Sequence, residues 1–297
     1  MKLPMTSHHK TYLKAPSLPA MGLGALWPSA GWQGKLGFPT FSFIWRDYRI
    51  GADLLRELQW LAGADDKATT DRLLLLAPHV TGFRLTLAML MHPDWPLPIW
   101  QALQLRNRLI RSGDVRVAYP SDLIAQATAW RVHDKGIELG VHAQLLQGDD
   151  CSWESITTFY YRGRFAPPLT HGPLEGAALL SPTIDPALPP VAHWTVDGDR
   201  RLRFARLTGD GNPLHLLDAY ARRTGFAAAS AHPQRIAAQC LGHLTKTSAP
   251  RQLDLWLKGP VYYNRAVTLR QTHSPEGEEF ALWVDGDERA AMVGRLS

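Results

Sequence analysis

Between residues 166 and 191 the chain carries Pro167, Pro168, Pro173, Pro182, Pro186, Pro189 and Pro190 with little periodicity around them. Each proline removes an amide donor and fixes its own φ, so neither a helix nor a central strand runs easily through such a stretch. Residues 166–191 therefore read as a linker passing over the surface, between an N-terminal unit, 1–165, and a C-terminal unit, 192–297. At 297 residues with 45% hydrophobic content, the chain has enough apolar material for one large core or two ordinary ones.

Both halves show the same order of elements. In the second, an extended Val191–Val196 leads to a short polar helix near Asp199–Thr208. After a turn come Ile236, Ala237, Cys240, Leu241 and Leu244 at helical spacing, with Pro233 suited to the first turn of that helix. Leu253, Leu255 and Leu257, then Val267 and Leu269, then Phe280, Leu282 and Val284, and finally Met292–Leu296, predict strands. In the first half, Pro78-His79 is expected to open a helix with Phe83, Leu87, Leu90 and Met91 on one face, ended by Pro93. Strands are expected over Leu123–His133, Ile137–Leu146 and Ser155–Arg162, joined by Asp134-Lys135-Gly136 and Gly148-Asp149-Asp150. The fold class is α+β: two curved antiparallel sheets, each around a helix, repeated in element order rather than in residues. Trp130, Trp153, Trp194, Trp256 and Trp283 fall in the predicted strands, where they would fill the layers.

Composition narrows the function classes. The net charge of +5 favours an anionic ligand, but no concentrated Lys/Arg tract with interleaved aromatics supports a nucleic-acid partner. No segment reaches the roughly 20 uninterrupted apolar residues of a membrane span, and Pro4, His8, His9 and Pro16 interrupt any secretory apolar segment. Cys151 and Cys240 stand far apart without metal-ligand spacing, so neither a zinc site nor a disulfide framework is indicated, and a reducing cytoplasm fits. Arg106, Arg108 and Arg111, and Arg200, Arg201, Arg203 and Arg206, form two basic clusters, either of which is a candidate for phosphate or simply a solvated face.

The chemistry concentrates in Leu207-Thr208-Gly209-Asp210-Gly211-Asn212-Pro213-Leu214-His215. Pro213 stiffens the turn and pushes Asn212 toward extended backbone, holding Asp210 and His215 in a fixed relation. A carboxylate beside an imidazole can move protons on and off one bound water. Taken alone, the run also reads as an Asn-Pro turn capped by Asp210. His79 has no carboxylate at a useful spacing and reads as a core or helix-entry residue, and His133, His142, His243 and His273 are likewise read as structural.

What surrounds this turn resembles a known family. Gly209-Asp210-Gly211-Asn212-Pro213-Leu214-His215, then Ala221-Arg222-Arg223-Thr224-Gly225-Phe226, then Ala231-His232 before a helix, and Leu257-Lys258-Gly259-Pro260 at the end of a strand, follow the motif order of the MaoC-like, or R-specific, enoyl-CoA hydratases of double hot-dog type. The resemblance covers most of the chain from about Val191 onward. It implies a hydro-lyase that interconverts a trans-2-enoyl thioester and a (3R)-3-hydroxyacyl thioester, with Asp210 and His215 as the water-activating pair. Asn212, His232, Pro233 and Gln234 would then lie on the substrate side. It implies no metal and no cofactor beyond the coenzyme A or acyl carrier of the substrate, a cytoplasmic protein, and a double unit that is complete as a monomer or pairs again as a homodimer. One departure stands out: the family has Gly after the helix-entry His, where its N–H donates to the thioester oxygen, and this chain has Pro233. That departure keeps open a second reading, an acyl-CoA or acyl-carrier binding or partner protein of the same fold with impaired catalysis.

Overall fold

The computed structural model describes residues 7–17, 39–165, 169–171, 180–245 and 250–297. The chain divides into two compact units: Met1–Arg49, Gly82–Arg108 and Ser112–Leu179 form the first, and Ile50–Thr81, Leu109–Arg111 and Leu180–Ser297 the second. Neither unit is continuous in sequence, so the expected boundaries at 165 and 192 differ from the observed partition. The segment Ile50–Thr81, expected in the first half, belongs with the second.

The first unit contains β1 (Ser7–Tyr12), β2 (Thr40–Tyr48), β4 (Ser121–His133), β5 (Gly136–Gln147), β6 (Asp150–Arg162) and most of β3 (Leu103–Arg111), adjacent in the order β1-β2-β4-β5-β6-β3, with β7 (Leu169–His171) against β4. β1 and β2 run parallel, whereas β2, β4, β5 and β6 are antiparallel. The three long strands lie where alternation placed them. Ile137, Leu139, Val141, Ala143 and Leu145 are buried on one face of β5, and Trp153 is wholly buried in β6. Gln147 pairs Asp150 across a two-residue loop in which Gly148 has φ +76°, a left-handed conformation that glycine supplies without steric cost.

The second unit contains β9 (Gln252–Leu257), β12 (Met292–Leu296), β11 (Gly277–Val284), β10 (Ala266–Ser274) and β8 (Ala192–Thr195), antiparallel in that order. Its helices include α1 (Ala52–Ala62), α3 (Arg201–Thr208), α4 (Asp218–Arg223) and α5 (Pro233–His243). Ile236, Ala237, Cys240 and Leu241 of α5 are buried, as their spacing predicts. The C-terminal end of α5 is closed by a cation, since buried Arg72 donates to the carbonyls of Leu241 (3.3 Å), Leu244 (3.0 Å) and Thr245. Helix C-termini leave such carbonyls without intrahelical partners and favour positive charge there. The described part of the Pro-rich stretch is no bare linker either. Ile184 is buried against Trp256, Ala281, Trp283 and Val293, with Leu188 packed beside it. Pro167, Pro168 and Pro173 lie outside the described residues.

One expectation fails at Pro78. A single helix, α2 (Lys67–Leu90), runs through this proline, so it begins eleven residues before the predicted entry. Asp66 starts it by accepting from the Thr69 amide (3.2 Å) and hydroxyl (3.0 Å). Burial of Leu73, Leu75, Leu76, Ala77, Val80, Leu85 and Met89 outweighs the roughly 3 kcal/mol that an interior proline costs. By length and composition α2 is apolar enough to cross a membrane, yet its apolar residues are buried within the protein, as in a core helix. Residues 67–81 of α2 belong to the second unit and 82–90 to the first.

His79 lies buried in α2, and desolvation pushes its pKa down to about 4 from the usual 6.5. Between those two values the unfolded chain binds a proton that the folded chain refuses. Stability therefore falls as pH drops from about 6.5 to about 4, and this contribution does not change further below that. The full effect is about 3 kcal/mol, at about 1.4 kcal/mol per pKa unit. Urea unfolding of wild type and His79→Gln at pH 7 and pH 4.5 checks it, the variant losing less stability between the two.

Candidate active site

The Asp210–His215 turn is assembled by local hydrogen bonds. α3 ends at Gly209, whose φ of +79° lets the chain reverse at once. Asp210 N–H then donates to Thr208 Oγ1 (3.1 Å), and Asn212 N–H to Asp210 Oδ1 (3.1 Å). Asn212 takes the extended ψ of 120° that Pro213 imposes, and its Oδ1 accepts from Leu214 N–H (3.0 Å), capping a short 3-10 turn over Pro213–His215. Asn212 is exposed and serves this cap; Asp210 and His215 are buried.

A second arm of the same unit meets this turn. Ser230 N–H donates to Leu214 O (3.2 Å), Ala231 N–H to Val261 O (2.8 Å), and Asp218 Oδ1 accepts from Ala229 N–H (2.9 Å). These bonds deliver His232 as the residue preceding α5, with Pro233 first in the helix and Gln234, buried, second. The rings of His215 and His232 lie 4.1 Å apart at 31°.

The hydrogen bonds decide where the protons sit. His215 Nδ1 is 2.9 Å from Ser230 O, which can only accept, so Nδ1 carries the hydrogen. His215 Nε2 lies 3.9 Å from Asp210 Oδ2. That is too long for a direct bond and matches two groups that share one water about 2.8 Å from each. His232 Nε2 donates to Asp210 O (3.0 Å), while its buried Nδ1 has no hydrogen-bond partner. Desolvation, and then the charge of His215, lower the His232 pKa to about 4, so this ring is neutral at physiological pH.

Asp210, His215 and His232 present ligand atoms within 4.8 Å of one another, a set able to hold a metal ion. His232 Nε2, however, is committed as a donor to Asp210 O, and a ligating nitrogen must be bare. The arrangement suits proton transfer to and from water.

Sequence reasoning placed Asp210, His215, Asn212, His232, Pro233 and Gln234 in one region, and the structure brings them together around the two arms. It missed the Ser230 carbonyl and the Thr208 hydroxyl, which fix the His215 tautomer and the Asp210 backbone. A carbonyl acceptor leaves no mark in side-chain chemistry, whereas Thr208, two residues before Asp210, was visible as a local capping residue. Also missed was Arg235, completely buried and paired with Asp197 Oδ1 (2.9 Å). Of the second basic cluster, Arg203 Nε and Arg200 Nη1 lie 2.6 and 3.5 Å from the buried Glu57 carboxylate, so these two serve the fold.

Comparison with solved structures gives the architecture a precedent. A crystal structure of HtdX from Mycobacterium tuberculosis superposes with a TM-score of 0.65 at 16% identity, over 86% of this chain and 98% of that one. A MaoC-like dehydratase from Phytophthora capsici gives 0.65 at 13% identity, over 89% and 97%. A further M. tuberculosis protein, described as having a double hot-dog fold, gives 0.50 at 13% over 85% and 94%. This chain has the double hot-dog fold. In sequence, the double hot-dog chain is 25% identical over 171 residues to 3-hydroxyacyl-thioester dehydratase X of M. tuberculosis, a match spanning 57% of this chain and 59% of that relative's length. No family model matches the chain.

Proposed function

We propose that the chain is an acyl-thioester hydratase or dehydratase, a cytoplasmic hydro-lyase interconverting a trans-2-enoyl thioester and its (3R)-3-hydroxyacyl form. The observation that carries this reading is the 3.9 Å separation of Asp210 Oδ2 and His215 Nε2, with His215 Nδ1 held by the Ser230 carbonyl. In hydration, the water shared by the pair adds its oxygen to C3 of the enoyl group while His215 Nε2 takes one of its protons. Asp210 Oδ2 accepts the water's other hydrogen and orients it. The proton held by the pair then passes to C2, so that water is added across the double bond and both side chains are restored. His232 holds the Asp210 backbone, and coenzyme A or an acyl carrier enters only as part of the substrate. The likeness to a 3-hydroxyacyl-thioester dehydratase supports the same chemistry in the opposite direction.

Negative charge on the thioester oxygen needs a donor. Pro233 has none, and loss of one such donor costs about 10²- to 10³-fold in comparable sites. Gln234, the first residue of α5 with an amide hydrogen, takes that part in our reading. A second reading, a binding protein with impaired turnover, rests on the same proline.

The test is hydration of short and medium trans-2-enoyl-CoA by wild type and Pro233→Gly, with chiral analysis of the product and direct binding measurements. A competent parent giving the 3R alcohol is expected, with less than tenfold gain on Pro233→Gly. A parent that binds but turns over only after Pro233→Gly supports the binding-protein reading. Neither binding nor turnover in either form overturns both.

A further inference from the structure

A second cluster of ligating side chains lies in the first unit. His8 is on β1, opposite Phe41 of β2 in the parallel register, with the two rings stacked at 4.7 Å and 18°. His92 and Asp94 sit in the turn that follows α2, where His92 N–H donates to Met89 O and Trp95 N–H to His92 O. Asp94 Oδ2 is 3.5 Å from His8 Nδ1 and 3.6 Å from His92 Nδ1, and the three ligand atoms all lie within 4.8 Å of one another.

These separations have a chemical meaning. Ligand atoms about 2.1 Å from a tetrahedral zinc ion stand about 3.4 Å apart, close to both distances. The Asp94 amide donates to His92 Nδ1 (3.2 Å), so that nitrogen carries no hydrogen, and an ion would take the place of this long local bond. The imidazoles are also held in place: the ring of Phe41 lies 5.5 Å from His92 as well as against His8, and Phe43 lies 5.9 Å from His92.

We propose that His8, His92 and Asp94 form a divalent transition-metal site, with zinc the fitting ion, that ties the N-terminal strand to the turn after α2. Two imidazoles and one carboxylate are a donor set suited to borderline ions such as zinc rather than to calcium or magnesium. Asp94 is exposed, which gives an ion access from solvent. The site is separate from the candidate hydratase chemistry and does not depend on that reading.

Zn²⁺ alone, titrated into the chelator-treated full chain by calorimetry, tests the proposal in wild type, Asp94→Asn, His8→Gln and Asp210→Asn. Asp94→Asn changes an exposed side chain of the same size, so it reads the site even where His8→Gln disturbs β1. Asp210→Asn controls for the other His/Asp cluster. One Zn²⁺ that depends on Asp94 is expected, with affinity at least about tenfold weaker in Asp94→Asn and His8→Gln and unchanged in Asp210→Asn. The melting temperature should rise with Zn²⁺ in wild type and not in Asp94→Asn. Absence of stoichiometric binding, or binding undiminished by Asp94→Asn, overturns it; the cluster is then an ion pair only.

Discussion

Asp210→Asn is expected to lower the turnover of crotonyl-CoA hydration by about 10²- to 10⁴-fold, the range for removing a positioned acid or base. The substitution is chosen because the amide oxygen can still accept from Asn212 N–H, so the turn keeps its shape while the charge disappears. What remains beside His215 Nε2 is a neutral group that no longer stabilises a protonated imidazole. His215→Ala should cost a similar factor, and the double variant should cost little more than either single one, because both groups act on one water. Binding of an unreactive acyl-CoA should stay within a few fold of wild type. Hydration by Asp210→Asn at the parent's speed would remove the carboxylate from the chemistry and leave the turn as a structural cap.

The turn that carries this prediction was legible because its logic is local. Pro213 fixes one φ, Asn212 caps the next residues, and Asp210 and His215 stand five positions apart across a bend shaped by bonds between near neighbours. The long antiparallel strands were legible for a similar reason, since Ile137, Leu139, Val141 and Leu145 alternate without interruption. α2 was misplaced because a proline breaks helices in general, and only the burial of Leu73, Leu75, Leu76 and Ala77, a tertiary effect, shows that here it does not. Nor does pattern reveal that Glu57 receives Arg200 and Arg203. Those residues are separated by more than 140 positions, and a run of arginines looks alike whether it meets phosphate, solvent or a buried carboxylate. The His8, His92 and Asp94 cluster was hidden in the same way, because more than 80 positions separate β1 from the turn after α2.

The second large effect is expected at Gly242, in the last turn of α5. A Cβ built there meets the carbonyl oxygen of Ala62 in hard overlap and lies 2.6 Å from both the Ala62 carbonyl carbon and its Cα. All three are backbone atoms, which no rotamer change can move aside, so α1 and α5 must separate. Alanine in place of glycine favours a helix by about 1 kcal/mol, but overpacking costs about 1–3 kcal/mol and more where only backbone can yield. We expect Gly242→Ala to lose about 2 kcal/mol net in urea unfolding, whereas Gly113→Ala, whose new Cβ finds its nearest neighbour at 3.9 Å, should change little. Activity should suffer as well, for a physical reason. α5 is held at its C-terminal end by Arg72 and by this close approach to α1, and it begins next to His232, which grips the Asp210 carbonyl. A helix is stiff along its axis, so a shift forced at Gly242 is passed to His232 and disturbs the 3.9 Å spacing of Asp210 and His215. Gly242→Ala should therefore reduce turnover more than acyl-CoA binding. If it leaves both stability and turnover at the parent's values, the α1–α5 contact is not what positions the site.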